Sequence, residues 1–234
     1  MPSKLASISH GCSLLDQAFA FIKPRLIPGQ TEIQIKRQIN NWLKNAGAQG
    51  FAFPTIVAFG NHTANIHHRP TARRLTMNQI IMIDIGVKIN GWCSDETRMF
   101  FVGRSKPAWI KTYRLVLKAQ TAAIKHLRGG RMDSSEVDAA ARKFFPIPHS
   151  VGHGLGKIIH ARPKINPKSQ DIIKPGDIFT IEPGRYFPGR FGVRIEDTVL
   201  KTKTGFWLLT KFPKKLYYTN LNMIYARLKI KIDS

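Results

Sequence analysis

The sequence predicts an α+β fold in which helices cover an antiparallel sheet. Two stretches carry the same pattern, with two apolar runs on either side of a tight turn, which is typical of a β-hairpin. Segments with helical spacing and helix end signals precede each of these stretches. Because both hairpins also hold acidic residues within their apolar runs, the pattern indicates an internal pseudo-repeat.

Two helices are predicted at the start of the chain. Apolar residues at helical spacing run from 4 to 22, and Pro24 ends this first helix. The second helix begins at Thr31, where Gln34 completes a capping box, and it stops at Gly47. Its core-facing stripe consists of Ile33, Ile35, Ile39, Trp42 and Leu43.

An extended segment follows the second helix. The stretch FAFPTIVAFGNHTANIHHRP is apolar up to Phe59 and becomes polar at Gly60. It therefore predicts a strand that delivers His67 and His68 to a loop. We interpret His68 as a solvated loop side chain.

The first hairpin is predicted from IIMIDIGVKINGWCSDETRMFFVG, in which Asn90 and Gly91 form the dipeptide best suited to a type I′ turn. Asp84 lies within its first apolar run, where a carboxylate is costly unless a cation or strong hydrogen-bond donors compensate it. Asp95, on the partner strand, comes close to Asp84 when the chain folds back. The alternative is that Asp84 is a hydrogen-bonded buried acid and Asp95 a surface turn residue.

Two more helices lie between the hairpins. The third is predicted over residues 107–128, since a proline opens this stretch and two glycines follow it. The fourth begins at Ser135, with Asp138 completing its cap, and runs through VDAAARKFF until Pro146 ends it. Both are expected to cover the sheet.

Three of the eight histidines fall within HSVGHGLGKIIH, which runs from His149 to His160. Glycines on both sides of His153 allow other groups to approach it closely, and a neutral imidazole is a good ligand for Zn, Mn, Fe or Co. The stretch predicts part of a metal site on a turn that leads into an extended segment, KIIHARPKI. The alternative is a glycine-rich turn with incidental histidines.

The second hairpin is predicted from GDIFTIEPGRYFPGRFGVRIEDTVL, with its turn at Pro188 and Gly189. Glu182 and Glu196 each lie within a run that otherwise has the composition of a buried strand. Four of only 14 acidic residues thus occupy apolar strand positions, where an unpaired charge is costly. One or two shared divalent cations explain this placement.

Length and composition indicate a globular protein. With 234 residues, 43% hydrophobic and 22% charged, we expect one domain over 1–234 with a basic segment from about 210. No apolar run approaches the roughly 20 residues of a membrane span, and we find no signal-peptide core. Because Cys12 and Cys93 are the only cysteines, no disulfide framework is expected, and a cytoplasmic location is the default.

The net charge of +23 comes from 37 Lys and Arg against 14 Asp and Glu. Such a surface attracts polyanions, so non-specific, salt-sensitive nucleic-acid binding is expected. Specific recognition is not predicted, because the basic residues are spread along the chain with only a mild concentration after Leu200. In that region LNMIYARLKIKI alternates basic and apolar residues, as a strand or a short helix does.

In its motifs SDETR, GHGLG, IEPG and RIEDT the chain resembles the pita-bread metallopeptidases, which include methionine aminopeptidase, Xaa-Pro aminopeptidase, prolidase and creatinase. The resemblance extends from the first helix to about Leu209. It implies a curved antiparallel sheet with pseudo-two-fold symmetry, covered by helices, and two divalent metal ions (Mn, Co, Zn or Fe). Asp95 and Glu196 would bridge the two ions, Asp84 would chelate one, and His153 and Glu182 would bind the other.

Within that family the sequence is most similar to the Xaa-Pro branch, because GVRIEDT places Arg194 two residues before the last ligand. The resemblance implies that Arg194 and His149 support substrate binding and that His67 holds the substrate amide. His160 would donate a hydrogen bond to the tetrahedral intermediate, and Glu182 would carry a proton as well as bind metal. For Arg194 the alternative is a salt bridge to a metal-ligand carboxylate.

The implied function is hydrolysis of the N-terminal Xaa-Pro bond of peptides, in which two cations activate a water molecule and polarise the scissile carbonyl. The chain shows no creatinase-type N-terminal domain and has a short connection, AARKFFPIPHSVGHG, before its central histidine. We therefore expect an open pocket and an aminopeptidase acting on peptides longer than two residues, as a monomer or homodimer. The alternatives are removal of N-terminal Met and a non-catalytic module that binds nucleic acid or protein. Modules of that kind typically lose metal ligands, whereas this chain has all five.

Overall fold

The computed structural model describes residues 2–215 and the backbone of residues 218–219. The strand or short helix predicted in LNMIYARLKIKI lies outside the described residues, as does most of the basic segment from about 210. Within the described part the α-helices are α1 (Lys4–Ile22), α2 (Glu32–Asn45), α3 (Pro107–His126) and α4 (Ser134–Arg142). Short 3-10 helices cover Lys23–Arg25 and Gly60–Ala64.

The strands are short, and most belong to two main sheets with the orders β16-β6-β3-β2 and β15-β14-β11-β8-β9. Their bounds are β1 (Gly50–Phe51), β2 (Ile56–Phe59), β3 (Gln79–Ile85), β4 (Val87–Ile89), β5 (Trp92–Cys93), β6 (Glu96–Val102), β7 (Met132–Asp133), β8 (Gly152–Gly154), β9 (Ala161–Ile165), β10 (Ile172–Ile173), β11 (Ile178–Ile181), β12 (Gly184–Phe187), β13 (Phe191–Arg194), β14 (Asp197–Lys201), β15 (Phe206–Leu208) and β16 (Tyr218–Thr219).

The first three helices form as predicted. The capping box of α2 is present, because the Thr31 hydroxyl accepts from the Gln34 amide while the Gln34 side chain accepts from the Thr31 amide. Ile35, Ile39 and Leu43 on its apolar face are fully buried. None of the helices in the described residues is long and apolar enough to cross a membrane.

The predicted cap of α4 is wrong. The helix begins at Ser134 without a side-chain cap and ends at Arg142, three residues before the predicted end. Asp138 instead accepts from the Arg142 guanidinium one turn later, with 2.5 Å between Nε and Oδ2. Because Arg142 also donates to the carbonyls of Ile147 and His149, this pair anchors the chain that enters the histidine stretch.

Each predicted hairpin is an antiparallel pair that is broken in both arms. In the first, β3 pairs with β6, and β4 pairs with β5 through Asn90 and Gly91. The φ angles of these two residues, 51° and 77°, are both positive, as the predicted type I′ turn requires. Asp95 lies in the break between β5 and β6 and not on a partner strand, which corrects the prediction.

The second hairpin repeats this arrangement, since β11 pairs with β14 and β12 with β13. Ile85 pairs with Glu96 in the first hairpin, and Ile181 pairs with Asp197 in the second, just before the breaks. Asp95 and Glu196 directly precede these partners. The two carboxylates therefore occupy equivalent positions of a pseudo-repeat.

The sheet carries a core on both faces. Ile80 and Met82 of β3 pack in the core beneath α3 and α4, whereas Ile81 and Ile83 pack in the core beneath α1 and α2. Burial on both faces explains why this strand is a continuous apolar run rather than an alternating one.

The histidine stretch differs from its prediction, because His153 lies on β8 and not on a turn. A Cβ at Gly152 would lie 1.9 Å from the Thr180 carbonyl oxygen, and one at Gly154 would lie 1.9 Å from that of Arg162. Only glycine therefore lets β8 fit between β9 and β11. The extended segment begins at Ala161 rather than at the start of KIIHARPKI.

Candidate active site

The five predicted metal ligands line one open pocket, at the breaks of the two hairpins and at β8. His153 Nε2 lies 3.2 Å from Glu182 Oε1 and 3.6 Å from Asp95 Oδ2. One ligand atom from each of Asp95, His153 and Glu196 lies within 4.8 Å of the other two. Chain positions separated by about one hundred residues thus converge on one site.

Some carboxylate oxygen atoms of this pocket make no hydrogen bond to the described residues. Asp84 Oδ1, Asp95 Oδ1 and Glu196 Oε1 are buried and have no hydrogen-bond partner among the residues that the structure describes. Buried polar atoms are nearly always paired, because an unpaired one costs about 1–3 kcal/mol. Three free carboxylate oxygens beside an imidazole form a donor set that fits divalent cations.

The pKa values reflect the crowding of negative charge. Burial raises the pKa of Asp95 and of Glu196 well above the usual range, and the neighbouring carboxylates raise both further. For Glu182, burial acts in the same direction, but the hydrogen bond and charge of His153 outweigh it and hold the pKa at about 2. A bound dication would favour the ionised form of all these groups.

Thr97 belongs to the site, although it was not predicted. Its hydroxyl donates to Glu196 Oε2 at 2.7 Å and accepts from Arg194 Nε at 3.2 Å. Its carbonyl accepts from the Glu196 amide at 3.3 Å. The available signal was its place two residues after Asp95, on the same side of an extended chain.

Arg194 is buried and forms the salt bridge that we gave as its alternative. Its Nη2 donates to Asp84 Oδ2 at 2.5 Å, and its Nη1 donates to the Tyr186 hydroxyl and the Ile66 carbonyl. Tyr186, also unpredicted, lies 3.0 Å from His149 Nε2. Arg194 lines the pocket, so its contribution to substrate binding stays a prediction.

The other predicted histidines line the same pocket. His160 packs edge-on against His153, with 4.6 Å between ring centroids. Burial lowers the pKa of His160, as does the charge of His153, and burial also lowers the pKa of His149. Both imidazoles therefore favour the neutral form. His67 and His160 are exposed at the mouth of the pocket, whereas His149 is half-buried.

The interpretation of His68 as a solvated side chain is wrong. His68 is buried, and its Nε2 lies 2.9 Å from Oε2 of Glu32, a fully buried acid that the sequence did not single out. Two basic side chains, Arg69 and Lys164, also line the pocket without having been predicted.

Two pseudo-equivalent hairpins that collect carboxylates around a histidine define the pita-bread fold with a candidate metal site. The chain belongs to metallopeptidase family M24, whose model matches residues 6–203. An uncharacterized peptidase of Staphylococcus epidermidis is 34% identical over 218 residues, which are 90% of this chain and 62% of the relative. The chain therefore spans about three fifths of the length of this relative.

Solved structures give the same picture. A prolidase from Thermococcus sibiricus is 34% identical, with a TM-score of 0.86 over 92% of this chain and 60% of the other. An Xaa-Pro dipeptidase from Bacillus anthracis is 31% identical, with a TM-score of 0.89 over 93% and 63%. An X-Pro aminopeptidase from Thermotoga maritima is 28% identical, with a TM-score of 0.88 over 92% and 63%. The resemblance and the fold predicted from the sequence are confirmed.

Proposed function

We propose that this chain hydrolyses the N-terminal Xaa-Pro bond of peptides with two divalent metal ions. The observation that carries the proposal is the group of three buried carboxylate oxygens beside His153 that have no partner in the described part of the chain, in a pocket that four more histidines line. The solved relatives named as prolidase, Xaa-Pro dipeptidase and X-Pro aminopeptidase support the choice of bond.

The five proposed ligands would together hold the two ions. Asp95 and Glu196, which are equivalent in the pseudo-repeat, suit the shared positions. Asp84 would hold one ion, and His153 and Glu182 the other. When bound, the ions would supply an activated water and polarise the scissile carbonyl.

The remaining chemistry falls to side chains of this chain. Glu182 is held by the Thr180 hydroxyl, with 3.2 Å between Oγ1 and Oε1, and its carboxylate could accept a proton from the water and pass it to the leaving nitrogen. His160, neutral near pH 7, can donate its N–H to the developing oxyanion. His67 at the mouth would hold the substrate amide.

Part of the pocket lining is apolar and suits a proline ring. Phe53, Pro54, Ile56 and Ile66 belong to this lining. The metal content and the substrate can be tested together. After dialysis against Mn²⁺ or Co²⁺, elemental analysis should find two ions per chain, and Ala-Pro peptides should be cleaved.

Two variants and two outcomes decide this proposal. Asp84→Asn and Glu196→Gln should abolish hydrolysis in a folded protein, because each removes a ligand oxygen. Fewer than one ion per chain, without a rise of Tm on adding metal, would contradict the metal site. Preference for Met-Ala over Ala-Pro would instead favour removal of N-terminal Met.

The length of the substrate is the finer proposal. Lys164 and Arg69 provide positive charge at the pocket for the free carboxylate of a dipeptide, but the pocket is open. Rejecting longer peptides requires a repulsive wall. We therefore expect kcat/KM for Ala-Pro-Gly-Gly to match or exceed that for Ala-Pro, and Lys164→Ala to lower only the dipeptide value. Cleavage of the dipeptide alone would contradict this.

A further inference from the structure

A second group of titratable side chains lies behind the loop that carries His67. Glu32, His62 and His68, which we call the Glu32 cluster, pack together with 4.5 Å between the two imidazole centroids. Glu32 Oε1 lies 2.9 Å from His62 Nδ1, and Glu32 Oε2 lies 2.9 Å from His68 Nε2. None of the three is needed to bind metal or to carry a proton in the proposed reaction.

The same carboxylate holds both ends of the loop. Oε1 accepts from the amide of Phe59, the last residue of β2, at 2.8 Å. Oε2 accepts from the amide and the hydroxyl of Thr71 at 2.9 and 2.8 Å. The Glu32 amide in turn donates to the Arg73 carbonyl at 3.1 Å, so the start of α2 is fixed to the chain that leaves the loop. Within the described part of the chain, the hydrogen-bond partners of the Glu32 carboxylate all lie in the range 59–71.

The opposite side of the loop contacts the active site. Arg194 Nη1 donates to the Ile66 carbonyl at 3.3 Å, and the Gly192 amide donates to the Thr63 hydroxyl at 2.8 Å. The exposed His67 imidazole is therefore placed by a peptide segment that is held between β13 and Glu32.

Three ligand-type side chains so close together raise the question of a third metal ion, since their candidate ligand atoms lie within 4.8 Å of one another. The hydrogen bonds favour a different role. Each oxygen of Glu32 has at least two partners, whereas three carboxylate oxygens of the active site have none among the described residues. The Glu32 cluster has the pattern of a saturated clamp.

We propose that Glu32 is a positioning residue that, through the Glu32 cluster, holds His67 in place for the substrate. The inference rests on the proposed function, in which His67 binds the substrate amide. Glu32→Gln replaces one acceptor oxygen with an NH2 group that faces other donors. A misplacement of about 1 Å in a group that orients substrate can cost roughly 100-fold, so we expect kcat/KM to fall about 10- to 100-fold.

A double-mutant cycle with His67→Ala tests this route. If Glu32 acts through His67, Glu32→Gln should lower kcat/KM in the wild-type background and have little effect in the His67→Ala background. The metal content should equal that of the wild type in all four proteins. Equal losses in both backgrounds, or loss of metal in Glu32→Gln, would overturn the proposal.

The matched control is Glu136→Gln on α4, which removes a surface Glu–His pair with 3.6 Å between His126 Nε2 and Glu136 Oε2. Its kcat/KM should equal that of the wild type. If Glu32→Gln does not fold, Thr71→Val removes a single hydroxyl donor from the clamp and enters the same cycle, with the same non-additivity expected.

A readout that needs no substrate separates this inference from the proposed function. In ¹H–¹³C spectra of the histidine rings, Glu32→Gln should shift the signals of His62, His67 and His68 and leave those of His153 and His160 in place. A wild-type chain without peptidase activity would contradict the proposed function alone. An unmoved His67 signal would contradict the positioning role.

Discussion

Thr97→Val removes a hydroxyl that donates to Glu196, one of the proposed metal ligands, and should weaken metal binding. Valine has the same shape and the same preference for a strand, so β6 should stay intact. The substitution leaves Glu196 Oε2 without its donor at 2.7 Å and Arg194 Nε without its acceptor at 3.2 Å. Glu196 then loses the contact that orients its free Oε1 toward the pocket.

Two estimates of the loss agree. A hydrogen bond to a charged group contributes about 1.5–3 kcal/mol. Substitution of a residue that orients a metal ligand typically lowers metal affinity by roughly 10- to 100-fold, which equals about 1.4–2.8 kcal/mol. We therefore expect the Kd of the chelator-treated protein for Mn²⁺ or Co²⁺ to rise about 10- to 100-fold.

Calorimetric titration measures this Kd directly, and Thr97→Ser is the matched control because it keeps the hydroxyl and loses only a methyl group. The Thr97→Ser protein should bind metal nearly as tightly as the wild type does. A Kd for Thr97→Val within twofold of the wild type would refute the reasoning. Equal weakening in both variants would assign the effect to lost packing rather than to the hydroxyl.

Three further predictions concern the rest of the chain. Gly154→Ala should destabilise the protein by about 1–3 kcal/mol and lower Tm by several degrees, because its Cβ meets backbone 1.9 Å away, whereas Gly130→Ala, with nothing within 4 Å, should not. Although burial raises the pKa of Glu32, the hydrogen bonds from His68, Thr71 and other donors lower it more, so the net pKa lies below its usual range. The stability from Glu32 is therefore present above the pKa of Glu32 in the unfolded chain and is lost as pH falls through its pKa in the folded chain. Between pH 5 and pH 3, the free energy of unfolding measured in urea should decline less in Glu32→Gln than in the wild type. Equal slopes would contradict this. Binding of RNA or DNA through the +23 charge should fall roughly 10³-fold between low and moderate salt, and tight binding that survives salt would favour a specific binding module.

The proposed ligands were singled out from the sequence because their local environment is unusual. A carboxylate such as Asp84 among isoleucines is costly without compensation, so its presence there predicts a cation before any contact is known. The breaks in the hairpins were not predicted, although the polar run SDETR interrupts the apolar pattern at one of them. The prediction of a continuous strand through this run places Asp95 on that strand, whereas Asp95 lies between two strands.

Glu32 was not singled out from the sequence, because its local environment is ordinary. An acid in the first turn of a helix is ordinary, since it interacts favourably with the helix dipole. Its partner His68 lies 36 residues away, and nothing local shows that the two meet. The cap assigned to Asp138 was wrong, because its carboxylate accepts a hydrogen bond from Arg142, one turn later, and not from the amides at the start of the helix.

Because the proposed ligands come from both halves of the chain, a bound metal ion would act as a cross-link. Asp84 and Asp95 belong to the first half of the chain, and His153, Glu182 and Glu196 to the second. An ion held by both halves would close a loop of about one hundred residues, as a disulfide does. Unlike a disulfide, this link would form and break with the concentration of the cation. Neither half has a full set of the proposed ligands. The availability of metal in the surrounding medium would thus set how firmly the two halves stay together, and with it how long the folded chain survives between unfolding events.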